Sequence, residues 1–430
     1  MFNEKLVYIV DGCRTPFLKY QSKSGPGKFS ASELAVQNTK SLLLRQNFES
    51  SLIDEVILGC TTPSENEMNI ARVVALRSGL SVSTPAWTVH RNCASGLQAI
   101  DSSIQAILTG KSKIILCGGV DALSHAPFLF SKMAVKWFTQ LSSSKKIPEK
   151  LKKLTEFRPS FFSPIPAILK GLTDPVEGIS MGQTAENLVK KFGIERDLID
   201  EFAKTSHMRA AEFRETIHSA QLCTIYDKAG NAYHNDDGIR EDISLERLKT
   251  LKPVFDKPDG NITAGNSSQI SDGSSLLILC SEDALKTLKI EPLAEISQVN
   301  WAGIDPNEMG LGPIHAFMPI LKNKNLKKDD IDIWEINEAF SAQVLACQKA
   351  LADKNYCQNK LQTTKAFGEI AAKQLNIAGG AIALGHPVAA SGPRIVLNLV
   401  HLLKHRKKIN GIASICIGGG MGGATHIKLC

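Results

Sequence analysis

The sequence predicts a layered α/β protein built from two similar halves with a long segment inserted between them. Three observations carry this. Apolar runs of strand length alternate with segments of helical periodicity, which is the pattern of helices layered on a mostly parallel sheet. The order strand, reactive residue, small-residue helix start and Gly-rich strand occurs twice, first around Cys93 and Cys117-Gly-Gly119 and again around His386 and Cys416 to Gly420. Between 128 and 172 that pattern breaks into lysines, aromatics and prolines.

The elements follow in chain order. Leu6–Val10 reads as a buried strand ending at Asp11-Gly12, and Arg14-Thr-Pro16 breaks it. Ser32 to Leu44 has helical spacing, Val56 to Gly59 is strand-like, and Asn69 to Leu80 is helical with Gly79 near its end. Trp87 to His90 is a short strand leading into Cys93. Leu97, Ile100, Ile104, Ile107 and Leu108 then recur on one helical face, and Gly110 is placed to close that helix. Lys113 to Gly119 is a continuous apolar strand. After the insertion, helices run from Thr184 to Phe192, ended by Gly193, and from Arg196 to about Ile217. The polar, turn-rich stretch 262–273 leads into a strand at Ser275 to Cys280. The second half reads as strand (Leu293 to Val299), helix (His315 to Leu321), strand (Ile331 to Ile336) and helix (Ser341 to Leu351). A further helix, a glycine-rich block at 379–393, a helix from Arg394 to about His405, and strands at Ile412 to Cys416 and Ala424 to Leu429 complete it.

Composition narrows the function classes. The chain has 430 residues, enough for two or three domains with real cores, and no apolar run reaches the length of a membrane span. Met1 to Val10 enters a strand almost at once, with no signal-peptide layout and no Arg-rich presequence. The ten cysteines form no Cys-x-x-Cys pair and no metal-finger spacing, so a cytoplasmic protein with mostly buried thiols and no bound metal is expected. The formal charge of +7 comes without an Arg-rich block or an aromatic RNA-binding signature, which argues against nucleic acid. The basic and aromatic 128–172 segment suits either peripheral membrane contact or partner docking; the alternative is a solvated excursion whose aromatics pack inward.

Four places carry candidate chemistry. Cys93 stands where a small-residue turn opens a helix, so the helix dipole favours its thiolate, the nucleophilic form. The other reading of Cys93 is a buried structural thiol. His386, in Gly385-His-Pro387, can accept a thiol proton. Cys416 ends a buried strand just before a run of glycines whose amides can form an oxyanion hole. Asn337, in Asn337-Glu-Ala-Phe340, is placed to cap a helix start and to hold a polarising water; its plain reading is an N-cap.

Together these blocks resemble the thiolase family over almost the whole chain. The matching stretches are Asn92-Cys-Ala-Ser-Gly-Leu97, Met181-Gly-Gln-Thr-Ala-Glu186, Thr263-Ala-Gly-Asn-Ser-Ser268 with Asp272-Gly273, and Met309-Gly-Leu-Gly-Pro313. Asn337-Glu-Ala-Phe340, Gly379-Gly-Ala-Ile-Ala-Leu-Gly-His-Pro387 with Ala390-Ser-Gly392, and Cys416-Ile-Gly-Gly-Gly-Met-Gly422 follow in the family's order. The resemblance implies a duplicated thiolase-like fold, layered α/β/α/β/α, with an inserted loop domain. The expected boundaries are 1–124 with 253–283 for the first half, 125–252 for the loop domain and 284–430 for the second half.

The resemblance also implies roles. Cys93 is the acyl-accepting nucleophile, His386 activates it, and Cys416 takes and gives the substrate α-proton. Asn337, through a water, and His386 hold the thioester oxygen, and the amides of Cys93 and Gly418 form a second oxyanion hole. Ser268, Ala264, Phe255 and Met181 line the coenzyme A site, coenzyme A being a co-substrate and not a resident cofactor. The implied activity is thiolysis of 3-ketoacyl-CoA in fatty-acid β-oxidation. A homodimer or homotetramer is implied, working beside a hydratase/dehydrogenase α-subunit. One departure bears on the subgroup: Ser180 stands where many short-chain biosynthetic members have a histidine, and with the basic insertion it favours the degradative kind. The alternatives are an acetoacetyl-CoA thiolase running in the condensing direction, a decarboxylating ketosynthase, or a non-catalytic lipid-binding relative. The Cys416 motif argues against the second, and the presence of Cys93, His386 and Cys416 together against the third.

Overall fold

The structure, a computed structural model, describes residues 6–20 and 26–430. The opening residues Met1 to Lys5 of the amino-terminal reading lie outside the described residues. The first half contributes β1 (Val7–Arg14), β2 (Glu55–Gly59), β3 (Ala86–Val89), β4 (Ile114–Ala122) and β5 (Ser271–Ser281), in the spatial order β1-β5-β4-β2-β3. The second contributes β6 (Ala294–Gly303), β7 (Ile333–Ile336), β8 (Asn410–Ile417) and β9 (Met421–Leu429), in the order β6-β9-β8-β7. The neighbour sequence is the same in both, so the duplication read from the motifs is structural. Even the place of β3 has an echo, a parallel bridge from Trp334 to Leu375 on the flank of β7. Val7 to Ile9 pair antiparallel with Ala294 to Ile296, which fuses the halves into one sheet.

The expectation of a mostly parallel sheet is not met. Only β2·β3, β2·β4 and β7·β8 run parallel; β1·β5, β4·β5, β1·β6, β6·β9 and β8·β9 are antiparallel. Helical crossovers force parallel neighbours, but β9 follows β8 through a three-residue glycine turn, and a short hairpin can only return antiparallel. β5 likewise comes back after the whole insertion and is free to run against β4.

Helices α1 (Ala31–Leu44), α2 (Ile70–Arg77) and α3 (Ser95–Leu108) belong to the first half. The intervening segment holds α4 (Lys132–Ser143), α5 (Ile147–Thr155), α6 (Met181–Phe192) and α7 (Arg196–Glu212). The second half adds α8 (Gly312–Asn323), α9 (Ser341–Ala352) and α10 (Ser391–Arg406). Both faces of the sheet are buried, and alternation along each strand decides which core a residue joins. Leu277 and Leu279 of β5 enter the central core with α3 and α10, whereas Leu276 and Ile278 face α1 and α2. Helices α8 and α9 cover the outer face of the second half. The layers are therefore α/β/α/β/α, with α3 and α10 in the middle.

Local chemistry sets the helix ends. Ser30 caps α1 in a capping box with Glu33. Ser180 does the same for α6 with Gln183, which starts that helix at Met181, one turn earlier than periodicity placed it, and Gly193 stops it at φ 59°. Gly110, at φ 76°, follows the end of α3 as expected. In the 128–172 segment Trp137 packs against Phe138, Phe157 and Phe161 at centroid distances of 5.0, 5.4 and 5.6 Å, and its indole N–H donates to the Lys153 carbonyl. The inward-packing alternative holds for those rings. Phe128, Phe130 and Phe162 face solvent.

A buried polar chain ties the insertion to both halves. Arg14 makes a two-pronged ion pair with Asp236 at 2.7 Å on each oxygen, and Arg14 Nε donates to Gln221. Gln221 donates to Asn398 and Asn398 to Glu335. Burial alone would raise the Asp236 carboxyl, but Arg14 outweighs it and holds the group below its usual value. Its stabilising effect is therefore present above the ordinary carboxylate range and is lost as pH falls through the depressed native value. Asp236→Ala strands the Arg14 guanidinium without water and is expected to cost about 3–5 kcal/mol in urea unfolding at neutral pH.

Candidate active site

Cys93 sits two residues before α3 on a tight elbow. Asn92 takes a left-handed φ of 45°, which asparagine tolerates better than most residues. The turn is held by Ser95, whose hydroxyl donates to the Asn92 carbonyl (2.7 Å) and accepts from the Arg91 amide (2.8 Å). The elbow meets the β8–β9 turn of the other half. The Asn92 side-chain amide donates to the Gly418 carbonyl (2.8 Å), and the amide N–H groups of Gly418 and of Cys93 itself point at the Cys93 sulfur. Both amides favour the thiolate form of that sulfur.

That contact depends on glycine. Gly419 and Gly420 adopt φ of 92° and 76°, and a Cβ on Gly420 would lie 2.4 Å from the Ile304 carbonyl. Cys416 is on β8, just ahead of this turn, buried and close enough to Cys93 for their charges to interact. Burial, then Cys93 and Cys347, push the Cys416 thiol well above its usual range. It is a protonated acid at neutral pH.

The helix dipole does not dominate at Cys93. Burial is the largest influence and raises the thiol, with the two amides only partly offsetting it. Deprotonation of Cys93 therefore calls for a base, the role expected of His386.

His386 has the properties of that base. It follows Gly385, whose φ of 104° and lack of a Cβ let Ser271 approach. The Ser391 hydroxyl donates to the Pro387 carbonyl, so its oxygen accepts from His386 Nδ1–H at 2.5 Å. This leaves Nε2 unprotonated and able to take a proton. Burial and the nearby Arg394 lower the imidazole to about 4, which keeps it neutral. The turn after His386 is pressed into the first half: the Ala389 carbonyl occupies the space where a Cβ on Gly96 or Gly119 would be, at 2.3 and 2.0 Å. Asp121, at the end of β4, accepts the Ala389 amide (2.6 Å) together with the Thr61 and Thr62 amides.

Asn337 follows β7 and is buried. It is not a helix cap, because α9 begins only at Ser341 after Phe340 and has no side-chain cap. Four residues, Asn337 to Phe340, separate the strand from the helix. Its Oδ1 accepts from Arg394 Nη2 (2.9 Å), and its Nδ2 has no partner among the described residues. That free donor suits a water or a ligand oxygen.

Of the residues expected to hold coenzyme A, Ala264 lines a basic cavity of about 530 Å³ with Lys19, His207, Arg240, Arg247 and Gln269. Met181, Phe255 and Ser268 are not among its lining residues. Met181 Sδ is 3.1 Å from where a Cβ on Gly418 would be, Phe255 fills the space above Gly182 and meets Phe340 edge-on at 6.1 Å, and the Ser268 amide donates to the Ala339 carbonyl. Among the described residues no group of three His, Cys, Asp or Glu side chains is placed to hold a metal. Sequence reasoning missed Asp121, Arg394, Lys19, Arg240 and Arg247. Asp121 does carry a local signal, since it is a lone charge inside an otherwise apolar strand.

The comparisons agree along the whole length. The family model described as "Thiolase, N-terminal domain" matches residues 7–283, and that described as "Thiolase, C-terminal domain" matches 290–429. The chain is 35% identical over 405 residues to a "Probable acetyl-CoA acyltransferase" of Staphylococcus aureus, covering 93% of each. It is 32% identical over 426 residues to a "3-ketoacyl-CoA thiolase" of Serratia proteamaculans, covering 98% of this chain and 97% of the other. The crystal structure of human mitochondrial 3-ketoacyl-CoA thiolase superposes with a TM-score of 0.83 at 34% identity over 99% of both chains. The same human enzyme in complex with CoA gives 0.84 at 33% identity, over 99% of this chain and 98% of the other.

The close approach at Ala389 makes a direct prediction. Gly119→Ala puts a methyl group into a backbone carbonyl and is expected to destabilise the protein by about 1–3 kcal/mol in urea unfolding. In the same variant, displacement of the His386 turn should slow alkylation of Cys93 by iodoacetamide, followed by peptide mass mapping.

Proposed function

Because the chain belongs to the thiolase family and is an acyltransferase, we propose that it is a 3-ketoacyl-CoA thiolase acting in the degradative direction of fatty-acid β-oxidation. The observation that supports this most is the convergence on one sulfur of a nucleophile elbow from the first half and a glycine turn from the second. His386 Nε2 takes the proton of Cys93, and the thiolate attacks the 3-keto carbon. The resulting oxyanion is held by the amides of Cys93 and Gly418. The bond between C2 and C3 then breaks. Its electron pair passes into the thioester as an enolate, whose oxygen is held by His386 and by a water on Asn337 Nδ2. Protonation of the carbanion carbon by Cys416 releases acetyl-CoA. Cys416, now a thiolate, takes the proton of a second coenzyme A, whose thiolate attacks the Cys93 thioester; Cys93 leaves and recovers its proton from His386, and the product is an acyl-CoA two carbons shorter. The kinetics are ping-pong.

Coenzyme A fits the cavity by charge. Lys19, Arg240 and Arg247 face a space large enough for a nucleotide, and Met181 and Phe255 lead from there toward Gly418. The proposed site thus takes phosphates at one end and a thioester at the other. The segment 125–252 supplies most of the cavity wall and acts as the loop domain, between a first half of 1–124 with 253–283 and a second half of 284–430. Strand β3 ends the sheet with an unpaired edge, which suits a homodimer or a homotetramer of such dimers. Beside a hydratase/dehydrogenase α-subunit the enzyme would receive its 3-keto substrates directly. A cytoplasmic location completes the reading; among the described residues no helix is long and apolar enough to cross a membrane.

A second observation favours contact with an anionic lipid surface. Residues 128–172 carry eight lysines and one arginine against two glutamates, a net +7 equal to the formal charge of the whole chain. Phe128, Ile147 and Phe162 stand on the same segment with exposures of 65, 73 and 61%. Cations beside exposed apolar side chains are what an interfacial segment needs.

Two experiments test these readings. Thiolysis of acetoacetyl-CoA and of a long-chain 3-ketoacyl-CoA is expected with the wild type and is expected to fall at least about 10⁴-fold in Cys93→Ala; unchanged turnover in the variant refutes the mechanism. Activity confined to the four-carbon substrate favours the acetoacetyl-CoA alternative. In vesicle sedimentation the protein is expected to bind phosphatidylglycerol-containing vesicles and not phosphatidylcholine alone, with binding lost on deletion of 128–153 and on raising salt. Equal binding to both vesicle types contradicts the lipid assignment.

A further inference from the structure

Arg394 is a misplaced charge by ordinary rules. It lies in the first turn of α10, where the helix dipole disfavours a cation, and its side chain is 1% exposed. Glu335, equally buried, stands 3.7 Å from Nη1. Arg394 Nε and Nη1 have no hydrogen-bond partner among the described residues. A buried, incompletely satisfied guanidinium is a poor source of stability, since a hydrophobic side chain of similar volume often does as well there. Its one direct hydrogen bond to a side chain goes to the site, from Nη2 to Asn337 Oδ1 at 2.9 Å.

That bond removes an ambiguity. A side-chain amide can be turned end for end, and its two ends look alike in shape. A guanidinium has donors only, so it accepts the amide in a single sense, with oxygen toward the arginine and nitrogen away from it. The Asn337 Nδ2 donor, which finds no other partner, is thereby directed into the site. The Asn337 backbone is fixed independently by its amide bond to the Ser414 carbonyl on β8, so only the side-chain sense is left for Arg394 to set.

We propose that Arg394 is a positioning residue for the thiolytic reaction, acting through Asn337: it locks the amide so that Nδ2 is presented to the water that holds the thioester oxygen on which negative charge develops. This rests on the proposed thiolase reading. Arg394 touches neither the nucleophile nor the carbon that is protonated. Its effect through Asn337 therefore falls on the enolate-forming step; it also lowers the His386 imidazole, and removing that influence strengthens the base and does not slow transfer of an acyl group to Cys93.

The test is a double-mutant cycle with two half-reactions. Arg394→Met is expected to lower kcat for acetoacetyl-CoA thiolysis by about 10²-fold, the scale of one lost oxyanion-hole donor, with KM within about threefold of wild type. Asn337→Ala should do the same, and the double variant should be no worse than Asn337→Ala alone. Acetylation of Cys93 by acetyl-CoA should stay within about threefold in all variants. Arg394→Lys, which keeps the charge and a donor, should recover most of the rate and covers the case in which the Met variant does not fold. Additive losses in the double variant, or equal losses in both half-reactions, overturn the proposal. A crystal structure of Arg394→Met or Arg394→Lys decides independently of turnover. Asn337 is expected to leave its present rotamer in the Met variant and to keep it in the Lys variant; an unmoved Asn337 in the Met variant overturns the proposal. Absence of thiolysis in the wild type would refute the functional reading instead, with the structural arm still deciding the role of Arg394.

Discussion

One close approach governs the site. The Ala389 carbonyl lies where a side chain on Gly96 or Gly119 would have to be, and Asp121 grips the adjacent amide at 2.6 Å. Gly96 belongs to α3, which Cys93 introduces, and Ala389 follows His386 by three residues. The same contact therefore sets how closely the Cys93 helix approaches the turn that carries His386. A looser contact would separate them; a tighter one has no room. The glycine turn of the second half works in the same way, carrying the Gly418 amide to the Cys93 sulfur because nothing projects from it. Duplication of the fold matters here, because each half supplies one elbow and neither has a complete site.

Burial then divides the electrostatic roles. Cys93 and Cys416 are both raised, His386 is lowered to about 4, and each shift has desolvation as its largest cause. The resting site is thus neutral: two thiols and an unprotonated imidazole. On the proposed mechanism charge appears only with the substrate, and the amides of Cys93 and Gly418 and the Asn337 donor receive it. Desolvation opposes the helix dipole at Cys93, so that mechanism sends the thiol proton to His386. Arg394 contributes to the same balance as the nearest named charge acting on that imidazole.

Much of this was legible in the sequence because the reactive residues sit in turns with a strong local grammar. A cysteine before a small-residue helix start, a histidine between glycine and proline, and a cysteine before four turn residues each announce themselves. The halves were legible because strand and helix periods alternate cleanly around them. The sheet direction was not, since a run of apolar residues is the same in either direction and only the connections decide. The cavity cations were not legible either: Lys19, Arg240 and Arg247 come from separate segments and meet only after folding. The hydrogen bond from Arg394 to Asn337 could not be read either, since the two lie 57 residues apart in the chain. Asp121 shows the signal that was available, a single charge in an otherwise apolar strand.

The central claim is that Cys93, and no other thiol, carries the acyl group. Mixing the protein with acetyl-CoA, quenching in acid and mapping the peptides by mass spectrometry tests it directly. The account predicts one acetyl group, on the peptide that contains Cys93, removed by added coenzyme A. Acetylation at Cys416 instead, or no adduct in a protein that still turns over acetoacetyl-CoA, would contradict it.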